Sequence, residues 1–248
     1  MCTRFYIEPD LESALEPVRM TPLNVWMQEA FDKRVTIAGE VRPTDIAAVI
    51  ASNKRGVRSM FPMIWGFAHT VSQTSPSSSE PSQTSTPSIS EEQEHGQKKR
   101  RNPPIVNCRV ETAATKDLWR DSWLHHRCII PASYYFEWGH PIKLNTADGR
   151  ISESKTRNKK SRKTKYAIQS ENELITYLAG LYRLENGYPH FAVLTREPDE
   201  EIRFIHNRMP VILKADQINT WINPQSTIEE INHIAQSANT RVEYMEIS

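Results

Sequence analysis

The prediction of the fold starts from one stretch of the sequence, Arg127-Cys128-Ile129-Ile130-Pro131-Ala132-Ser133-Tyr134-Tyr135-Phe136-Glu137-Trp138. Apolar and aromatic residues on both sides of Pro131 predict a strand, a turn at this proline and a second strand. Similar runs predict further strands at residues 4–7, 45–51, 60–67, 105–110, 166–170, 174–182, 190–195, 211–213 and 241–247. Asn186-Gly187 has the composition of a hairpin turn between two of them. The chain is therefore predicted to consist mainly of strands.

Helices are predicted to be fewer and shorter. They are expected at residues 24–33, 116–126, 198–205, 216–222 and 227–236. The first carries Trp26, Ala30 and Phe31 at helical spacing, which predicts a face turned to the core. The last begins with a capping box formed by Thr227 and Glu230. This pattern predicts the α+β class, with a bent, partly barrel-like and mainly antiparallel sheet flanked by short helices.

Two polar stretches interrupt the pattern. Residues 71–101 are rich in Ser, Thr, Pro and Gln and end in a basic run, which predicts a disordered insertion. Residues 145–164 form a second, basic loop insertion, and seven of the eleven residues from 155 to 165 are Lys or Arg. Such basic runs fit nucleic-acid contact or plain solvation, and the sequence leaves this choice open. We expect one domain over residues 1–248.

The composition limits the classes of function. Thirty-one basic and thirty acidic residues give a formal net charge of +1, so a charged partner must be bound by local patches. The chain has three cysteines without disulfide-like spacing and no apolar leader, which favours a reducing compartment, the cytoplasm, or the nucleus in a eukaryote. No apolar run approaches membrane-spanning length, so we expect a soluble protein without a membrane partner.

Cys2 is the residue with the most distinctive potential chemistry. Removal of Met1 would leave an amino-terminal cysteine whose α-amine and thiol lie on one carbon skeleton. Their reference pKa values of about 7.7–8.0 and about 8.5 leave both groups partly deprotonated near neutral pH. The amine can condense with an aldehyde to an imine, and the thiol can then close on the imine carbon to give a thiazolidine. A cysteine at position 2 is usually an ordinary residue, so this hypothesis needs reactive partners elsewhere.

Polar residues inside apolar runs supply candidate partners. Asn107, Arg109 and Glu111 alternate in a predicted strand and should share one of its faces. Glu137 lies among four aromatic residues, an environment that raises a carboxyl pKa into the range of a general acid, although a buried ion pair fits equally. His206 follows a predicted short helix, where it fits either an acid–base role or a hydrogen bond that stabilises a loop.

Metal and cofactor sites are not indicated. His125-His126 and Cys128 superficially resemble a metal cluster, but adjacent histidines point apart and the spacing fits no zinc pattern. Cys108 and Cys128 are most simply small core residues. The chain has only 8 glycines and no glycine-rich phosphate-binding loop. We therefore expect no metal and no cofactor.

Several blocks of sequence, in a fixed order, resemble the SRAP (SOS response-associated peptidase) family. The seven blocks are Met1-Cys2-x-Arg4-Phe5, Trp65-Gly66, Asn107-x-Arg109-x-Glu111-Thr112, Arg127-Cys128-Ile129-Ile130-Pro131-Ala132, Phe136-Glu137-Trp138, Ala179-Gly180-Leu181-Tyr182 and Ile205-His206-x-Arg208-Met209-Pro210-Val211-Ile212-Leu213. The resemblance runs from Cys2 to about Trp221 and is interrupted by the two insertions. It implies the SRAP fold and the family's activity, which is to shield abasic sites in single-stranded DNA.

The resemblance also implies roles for individual residues. Cys2 matches the crosslinking nucleophile, which is exposed by autocatalytic loss of Met1. Three residues match the other active-site positions: Asn107, Glu137 and His206. Five residues match DNA contacts, namely Arg4, Arg109 and Arg208 at phosphates, and Pro43 and Trp65 against splayed bases.

Three features depart from the family's pattern. Thr3 and Cys108 replace the usual glycine and alanine, and a threonine would constrain the nucleophile's backbone if a positive φ were needed there. Cys108 should point away from Asn107 and Arg109. The Trp-Pro-rich loop that usually follows Trp65-Gly66 is replaced here by the insertion at 71–101.

The resemblance thus predicts a monomeric enzyme that senses abasic sites in single-stranded DNA and shields them by a thiazolidine crosslink, with lyase-type and autopeptidase activities. Two alternatives stay open. One is a thiol peptidase that acts on other proteins through Cys2 and His206, and the other is a single-strand-binding module without covalent chemistry. Only the thiazolidine mechanism requires a free α-amine on Cys2.

Overall fold

The computed structural model describes residues 2–69, 102–139, 143–144, 151–152, 163–237 and 241–247. The insertion predicted at 71–101 and most of the loop predicted at 145–164 lie outside these residues.

The strands are β1 (Phe5–Ile7), β2 (Val35–Thr36), β3 (Gly39–Val41), β4 (Ile46–Ser52), β5 (Arg58–Trp65), β6 (Asn107–Arg109), β7 (Arg127–Ala132), β8 (Tyr134–Gly139), β9 (Lys143–Leu144), β10 (Ile151–Ser152), β11 (Thr164–Ser170), β12 (Thr176–Glu185), β13 (Tyr188–Arg196), β14 (Met209–Pro210), β15 (Ile212–Leu213) and β16 (Val242–Ile247). The α-helices are α1 (Glu12–Leu15), α2 (Pro22–Phe31), α3 (Val110–Ala113), α4 (Asp117–His125), α5 (Ile218–Ile222) and α6 (Ile228–Gln236), and short 3-10 helices lie at Pro9–Leu11, Glu16–Met20 and Ala215–Gln217.

A closed ring of strands forms the centre of the fold. β13 pairs with β5, β5 with β4, β4 with β7, β7 with β12, and β12 returns to β13. Every pairing in the ring is antiparallel except that of β13 with β5. The strands β2, β6, β14 and β15 extend the ring at its edges. The predicted class, α+β with a bent, partly barrel-like and mainly antiparallel sheet, is confirmed.

A second, fully antiparallel sheet packs against this barrel. Its strand order is β16-β11-β8-β1-β3, so the amino-terminal strand β1 is an internal strand with neighbours on both sides. Residues from both sheets share one core, in which the ring of Phe5 lies 5.2 Å from that of Trp65. The chain's first residues are therefore fixed inside the protein.

The helices cover another side of the barrel. Trp123 of α4 and Trp221 of α5 meet edge to face at 5.8 Å, and α6 adds Ile231 and Ile234 to the same cluster. The predicted capping box at the start of α6 is confirmed. In the part of the chain that the structure describes, no helix is both long enough and apolar enough to cross a membrane.

The change of direction predicted at Pro131 occurs at Ser133 instead. Pro131 pairs with Tyr177 inside β7, where its restricted φ suits extended backbone. Ser133 carries the chain from the barrel to the second sheet: its N–H donates to the carbonyl of Tyr6, and its Oγ accepts from the N–H of Glu8, both at 2.9 Å. The predicted turn at Pro131 is thus wrong, and β7 and β8 belong to different sheets.

Two helix predictions also need correction. The segment 198–205 forms consecutive turns, because Ile202 and Ile205 donate to carbonyls only three residues back. Helix α2 exists, but the face predicted to point inward is wrong: Met27 is buried, whereas Trp26 and Phe31 are exposed. Spacing alone did not reveal that Trp26 packs on Tyr188 at the surface, with ring centroids 4.9 Å apart. The hairpin turn predicted at residues 186–187 does join β12 to β13.

Arg127 ties the ends of two helices to the barrel. It is buried, and its guanidinium donates to the carbonyls of Trp123 (2.8 Å), Trp221 (2.7 Å) and Asn223 (2.7 Å), and also to that of Leu124. These carbonyls belong to the last turns of α4 and α5, whose acceptors lack partners inside the helix. Burial lowers the pKa of Arg127 to about 10, which still leaves it charged at neutral pH.

Replacement of this arginine should strongly destabilise the fold. Arg127→Met fills the space but removes every donor, so we expect the free energy of unfolding to fall by about 3–5 kcal/mol. Arg127→Lys retains the charge but lacks the planar guanidinium, so its free energy of unfolding should lie between those of Arg127→Met and the wild type. Urea unfolding measures all three proteins, and a loss below about 1 kcal/mol in Arg127→Met would contradict this role.

Candidate active site

Cys2 lies in the core just before β1, with none of its surface exposed. The Nδ2 of Asn107 donates to the carbonyl of Cys2 at 2.8 Å, and the Cys2 thiol donates to the carbonyl of Arg4 at 3.6 Å. Asn107 reaches this position because β6 runs parallel to β13 with Asn107 opposite Val193. Burial, followed by the negative charge of Glu137, raises the pKa of the Cys2 thiol. The cysteine is thus held in place and protonated.

Glu137 is the carboxyl group of the site. It occupies β8 opposite Tyr166 and is 3% exposed. Burial raises the pKa of Glu137 to about 7, and the positive charge of the amino terminus acts in the opposite direction. Both protonation states are therefore populated near neutral pH, as a group that gives and takes protons requires.

His206 follows the turns at 200–205 and is half-buried. Its Nδ1 accepts a hydrogen bond from the N–H of Arg208 at 3.0 Å, an arrangement that places the proton of the neutral ring on Nε2. Burial, and then the charge of the amino terminus, lowers the pKa of His206, so the neutral ring predominates at pH 7. A protonated ring would instead present Nδ1–H to the carbonyl of Arg208, 3.3 Å away.

Gly139 permits the contact between this turn and β8. A Cβ at position 139 would lie 2.8 Å from the Cα of Ile205, a distance that real Cβ atoms essentially never show. The absence of a side chain therefore lets the backbone before His206 approach the end of β8, two residues beyond Glu137. Sequence reasoning missed Gly139, because its role depends on Ile205, a neighbour distant in sequence.

A hydrogen bond and electrostatic effects link the four residues predicted as catalytic. Asn107 contacts Cys2 directly, Glu137 acts on the Cys2 thiol, and the charge of the amino terminus acts on both Glu137 and His206. Sequence reasoning missed Tyr135, whose pKa is raised by burial and then by Cys2 and Glu137. Its buried hydroxyl has no hydrogen-bond partner among the described residues.

The three predicted phosphate contacts differ in their accessibility. Arg109 is exposed, and Arg4 is partly exposed with its Nη1 2.9 Å from Glu40. Arg208 is buried and forms a fork with the two carboxylate oxygens of Glu111, at 2.7 and 2.8 Å. This pairing disfavours a phosphate contact at Arg208. Glu111 itself lies in α3, so the prediction that it shares a strand face with Asn107 and Arg109 is wrong.

Trp65 requires a correction, because it is fully buried and offers no surface to a base. Its Nε1 donates to the carbonyl of Val106 at 3.0 Å, and its ring stacks on Phe191 at 5.8 Å. Its carbonyl accepts from the N–H of Thr44 at 2.8 Å. Trp65 therefore anchors the loop that carries Pro43, which is half-buried and partly accessible.

The two substituted motif positions are accommodated. The non-glycine residues with positive φ in the described part of the chain are Asp32, Thr44, Asn172 and Asn186. Thr3 is not among them, so the constraint anticipated for threonine does not arise. Cys108 is buried in the helix-side core while Arg109 is exposed, which confirms that Cys108 points away from Arg109.

A buried Cys2 held by the amide of Asn107, with a carboxyl group of raised pKa at Glu137, is the most distinctive arrangement of polar groups in this part of the fold. The chain matches the family described as SOS response associated peptidase (SRAP) over residues 1–248, and it belongs to that family.

Named relatives support this assignment. The chain is similar to abasic site processing protein YoaM of Bacillus subtilis, with 34% identity over 50% of this chain and 49% of the relative. It is similar to abasic site processing protein YedK of Escherichia coli, with 28% identity over 54% of each chain. The chain thus spans about half the length of the curated relatives it matches.

Solved structures share the fold. A protein from Bacteroides thetaiotaomicron superposes with a TM-score of 0.64 and 17% identity, covering 100% of this chain and 92% of that one. A phage-related protein from Bordetella bronchiseptica gives a TM-score of 0.61 and 14% identity, covering 99% of this chain and 94% of that one. At these identities, the likeness concerns the fold alone.

Replacement of Glu137 should change how stability depends on pH. Its folded pKa of about 7 exceeds the ordinary value of 4.5, so the folded protein binds the extra proton and loses stability as pH rises from 4.5 to 7. Glu137→Gln cannot titrate and should lack this loss. Urea unfolding measures this: from pH 5 to pH 8, the free energy of unfolding of the variant should rise by about 2–3 kcal/mol relative to that of the wild type. Parallel pH profiles would contradict the raised pKa.

Proposed function

We propose that this protein senses abasic sites in single-stranded DNA and shields them with a thiazolidine crosslink through Cys2, after it has removed its own Met1. The observation that carries the proposal is the position of Cys2, held by Asn107 and coupled to a carboxyl group whose pKa is about 7. Membership of the SRAP family and relatives named for abasic site processing support the choice of substrate.

The first step is the removal of Met1. Hydrolysis of the Met1–Cys2 peptide bond consumes one water and releases methionine and the α-amine of Cys2. Asn107 holds the carbonyl of Cys2, which fixes the backbone on one side of this bond. Glu137 can take a proton from the attacking water as a carboxylate and then give it to the leaving amine, because its pKa lies near neutrality.

The second step is imine formation. An abasic deoxyribose is mostly a closed hemiacetal, which must open to the aldehyde before the amine of Cys2 attacks. The resulting carbinolamine loses water when an acid protonates its hydroxyl group. Protonated Glu137 is suited to this step, and His206, with its proton on Nε2, is suited to the sugar oxygen during ring opening.

The third step closes the ring. The Cys2 thiol adds to the imine carbon, one C–S bond forms, and the thiol proton passes to a base while the imine nitrogen gains a proton. The buried thiol has a raised pKa and needs such a base, and ionised Glu137 is coupled to it. In total, one aldehyde and one aminothiol give one thiazolidine and one water, without a cofactor.

Exposed cations would position the strand. Arg4 is separated from Cys2 by one residue, and Arg109 by one residue from Asn107, so phosphates bound there would bring the sugar to the thiol. Pro43 offers a partly accessible apolar surface to a base, at the loop anchored by Trp65. Arg208 is proposed to support the His206 turn through Glu111.

The peptidase alternative differs from the proposal in the group that attacks first. A thiol peptidase attacks as a thiolate, whereas burial raises the pKa of this thiol; in the proposed mechanism the α-amine attacks first. A free α-amine is what distinguishes the two mechanisms in solution. The non-covalent alternative differs from both, because it predicts no adduct that survives denaturation.

Blocking the α-amine is the direct test of the proposal. An uncleavable amino-terminal tag converts the amine of Cys2 to an amide, which cannot form an imine, so we expect binding to an abasic single strand but no crosslink. Intact-mass spectra should show, for the untagged protein only, a mass equal to protein plus oligonucleotide minus one water. A carboxy-terminal tag controls for bulk, and Cys2→Ala should lose the stable adduct. Equal crosslinking by the blocked protein would exclude the thiazolidine mechanism.

The role of His206 has its own test. His206→Ala should slow adduct formation by about 10²–10⁴-fold, the usual contribution of a positioned acid or base, and leave the fold intact. His233→Ala is the matched control, because His233 is an exposed histidine of α6 outside the site. Single-turnover rates on denaturing gels measure the effect across pH. A wild-type rate with an unchanged pH profile would assign His206 to loop stabilisation.

A further inference from the structure

Three cations converge on one carboxylate at the outer face of the second sheet. The Oε1 of Glu40 lies 2.9 Å from the Nη1 of Arg4 and 2.7 Å from the Nε of Arg42, and its Oε2 lies 3.6 Å from the Nζ of Lys165. Only Arg4 among these residues had a role predicted from sequence. We call these four residues the Glu40 cluster.

The strand order of the sheet brings the cluster together. Arg4 immediately precedes β1, whose Phe5 pairs with Val41 of β3, so Arg4 and Arg42 lie at the same end of this strand pair. On the other side of β1, Lys165 of β11 pairs with Trp138 near the end of β8. Since β8 and β1 are antiparallel, this is also the end at which Cys2 lies.

The charges of the Glu40 cluster do not balance. Three positive side chains face one negative one, which leaves a net charge of +2. Burial would raise the pKa of Glu40, but the hydrogen bond from Arg42 and the surrounding positive charges hold it below its usual value, so the carboxylate is ionised. The side chains of Arg42 and Arg4 are 60% and 38% exposed and can accept an additional anion from solvent.

Two of the cations make cation–π contacts with aromatic rings of β8. The Nζ of Lys165 lies 3.5 Å from the centre of the Phe136 ring, and the guanidinium of Arg4 lies 5.3 Å from that of Trp138. Trp138 is itself partly exposed. Cations beside an accessible aromatic ring such as Trp138 are a combination that binds single-stranded nucleic acid, through phosphates and a stacked base respectively.

We propose that Arg42 and Lys165 extend from Arg4 a phosphate-binding site for the strand that flanks the lesion, with Glu40 holding the three cations in register. The nature of the ligand rests on the function proposed above. A phosphodiester backbone fits because it supplies repeated single negative charges, which a +2 cluster beside the reactive cysteine attracts. The cluster would act in binding, not in the chemical steps.

The test measures non-covalent binding with a probe that cannot crosslink. Unmodified single-stranded oligothymidylate is titrated by fluorescence anisotropy over a range of salt concentrations. The double variant Arg42→Gln/Lys165→Gln retains two methylene groups of each side chain but loses two charges. The matched control, Arg55→Gln/Arg58→Gln, loses the same charge at exposed positions near the far tip of the β4–β5 hairpin. Arg42→Gln alone serves if the double variant fails to fold, since Arg42 is the most exposed cation of the cluster.

The expected result is specific to the cluster. Loss of two phosphate contacts should reduce the slope of log K against log salt by about 1.4 and weaken binding about 10- to 25-fold near 0.1 M salt, with the single variant losing about half that slope. The control should match the wild type. Equal binding by all variants, or equal weakening of the cluster variant and the control, would overturn the proposal.

A parallel experiment separates this inference from the proposed function. Wild type and cluster variant are mixed with an abasic oligonucleotide at saturating concentration and analysed on a denaturing gel. Equal final crosslinking by both, with the weaker binding above, supports both proposals. If the wild type binds through the cluster but forms no adduct, the proposed crosslinking function is overturned and the proposed binding site stands. If both proteins form adducts but bind oligothymidylate equally well, only the proposal about the Glu40 cluster is overturned.

Discussion

The placement of β1 between β8 and β3 is the constraint on which the rest of the site depends. The first residues of a domain are commonly poorly ordered unless they are tied down. Here Phe5 pairs with Val41 on one side and Tyr135 on the other, and the N–H of Phe136 donates to the carbonyl of Arg4 at 2.9 Å. These bonds hold the residues just before β1 in the core and give Cys2 a fixed position, which the proposed reaction at this residue requires.

The same burial produces the acid–base properties of the site. Removing Glu137 from water raises its pKa, and removing Cys2 from water keeps its thiol protonated. Neither residue has these properties because of its type alone. The fold maintains a carboxyl group that is costly to ionise, and stability elsewhere, such as the helix ends bound by Arg127, must offset that cost.

The sequence predicted the strands well because most of them are apolar runs bounded by turn residues, and it predicted the capping box because that motif is local. It failed where a distant neighbour decides the outcome. Pro131 stays extended because β12 pairs with it, and Trp65 is buried because Phe5 and Phe191 enclose it. The candidate catalytic residues were proposed from family motifs, whereas Gly139 and Tyr135 were identified only through contacts that no motif encodes. The Glu40 cluster was missed for the same reason, since its members come from strands distant in sequence.

One strand, β8, links the candidate active site to the Glu40 cluster. Successive residues of a strand point to opposite faces, so Tyr135 and Glu137 face the buried cysteine while Phe136 and Trp138 carry the rings beneath Lys165 and Arg4. Because β1 begins where β8 ends, Cys2 and Arg4 stand at the point where the two faces meet. A strand of nucleic acid bound on the outer face would therefore need only to turn around the end of the sheet to bring a sugar to the thiol. The period of two that builds the sheet thus puts the proposed binding residues and the proposed catalytic residues on opposite faces, a few residues apart.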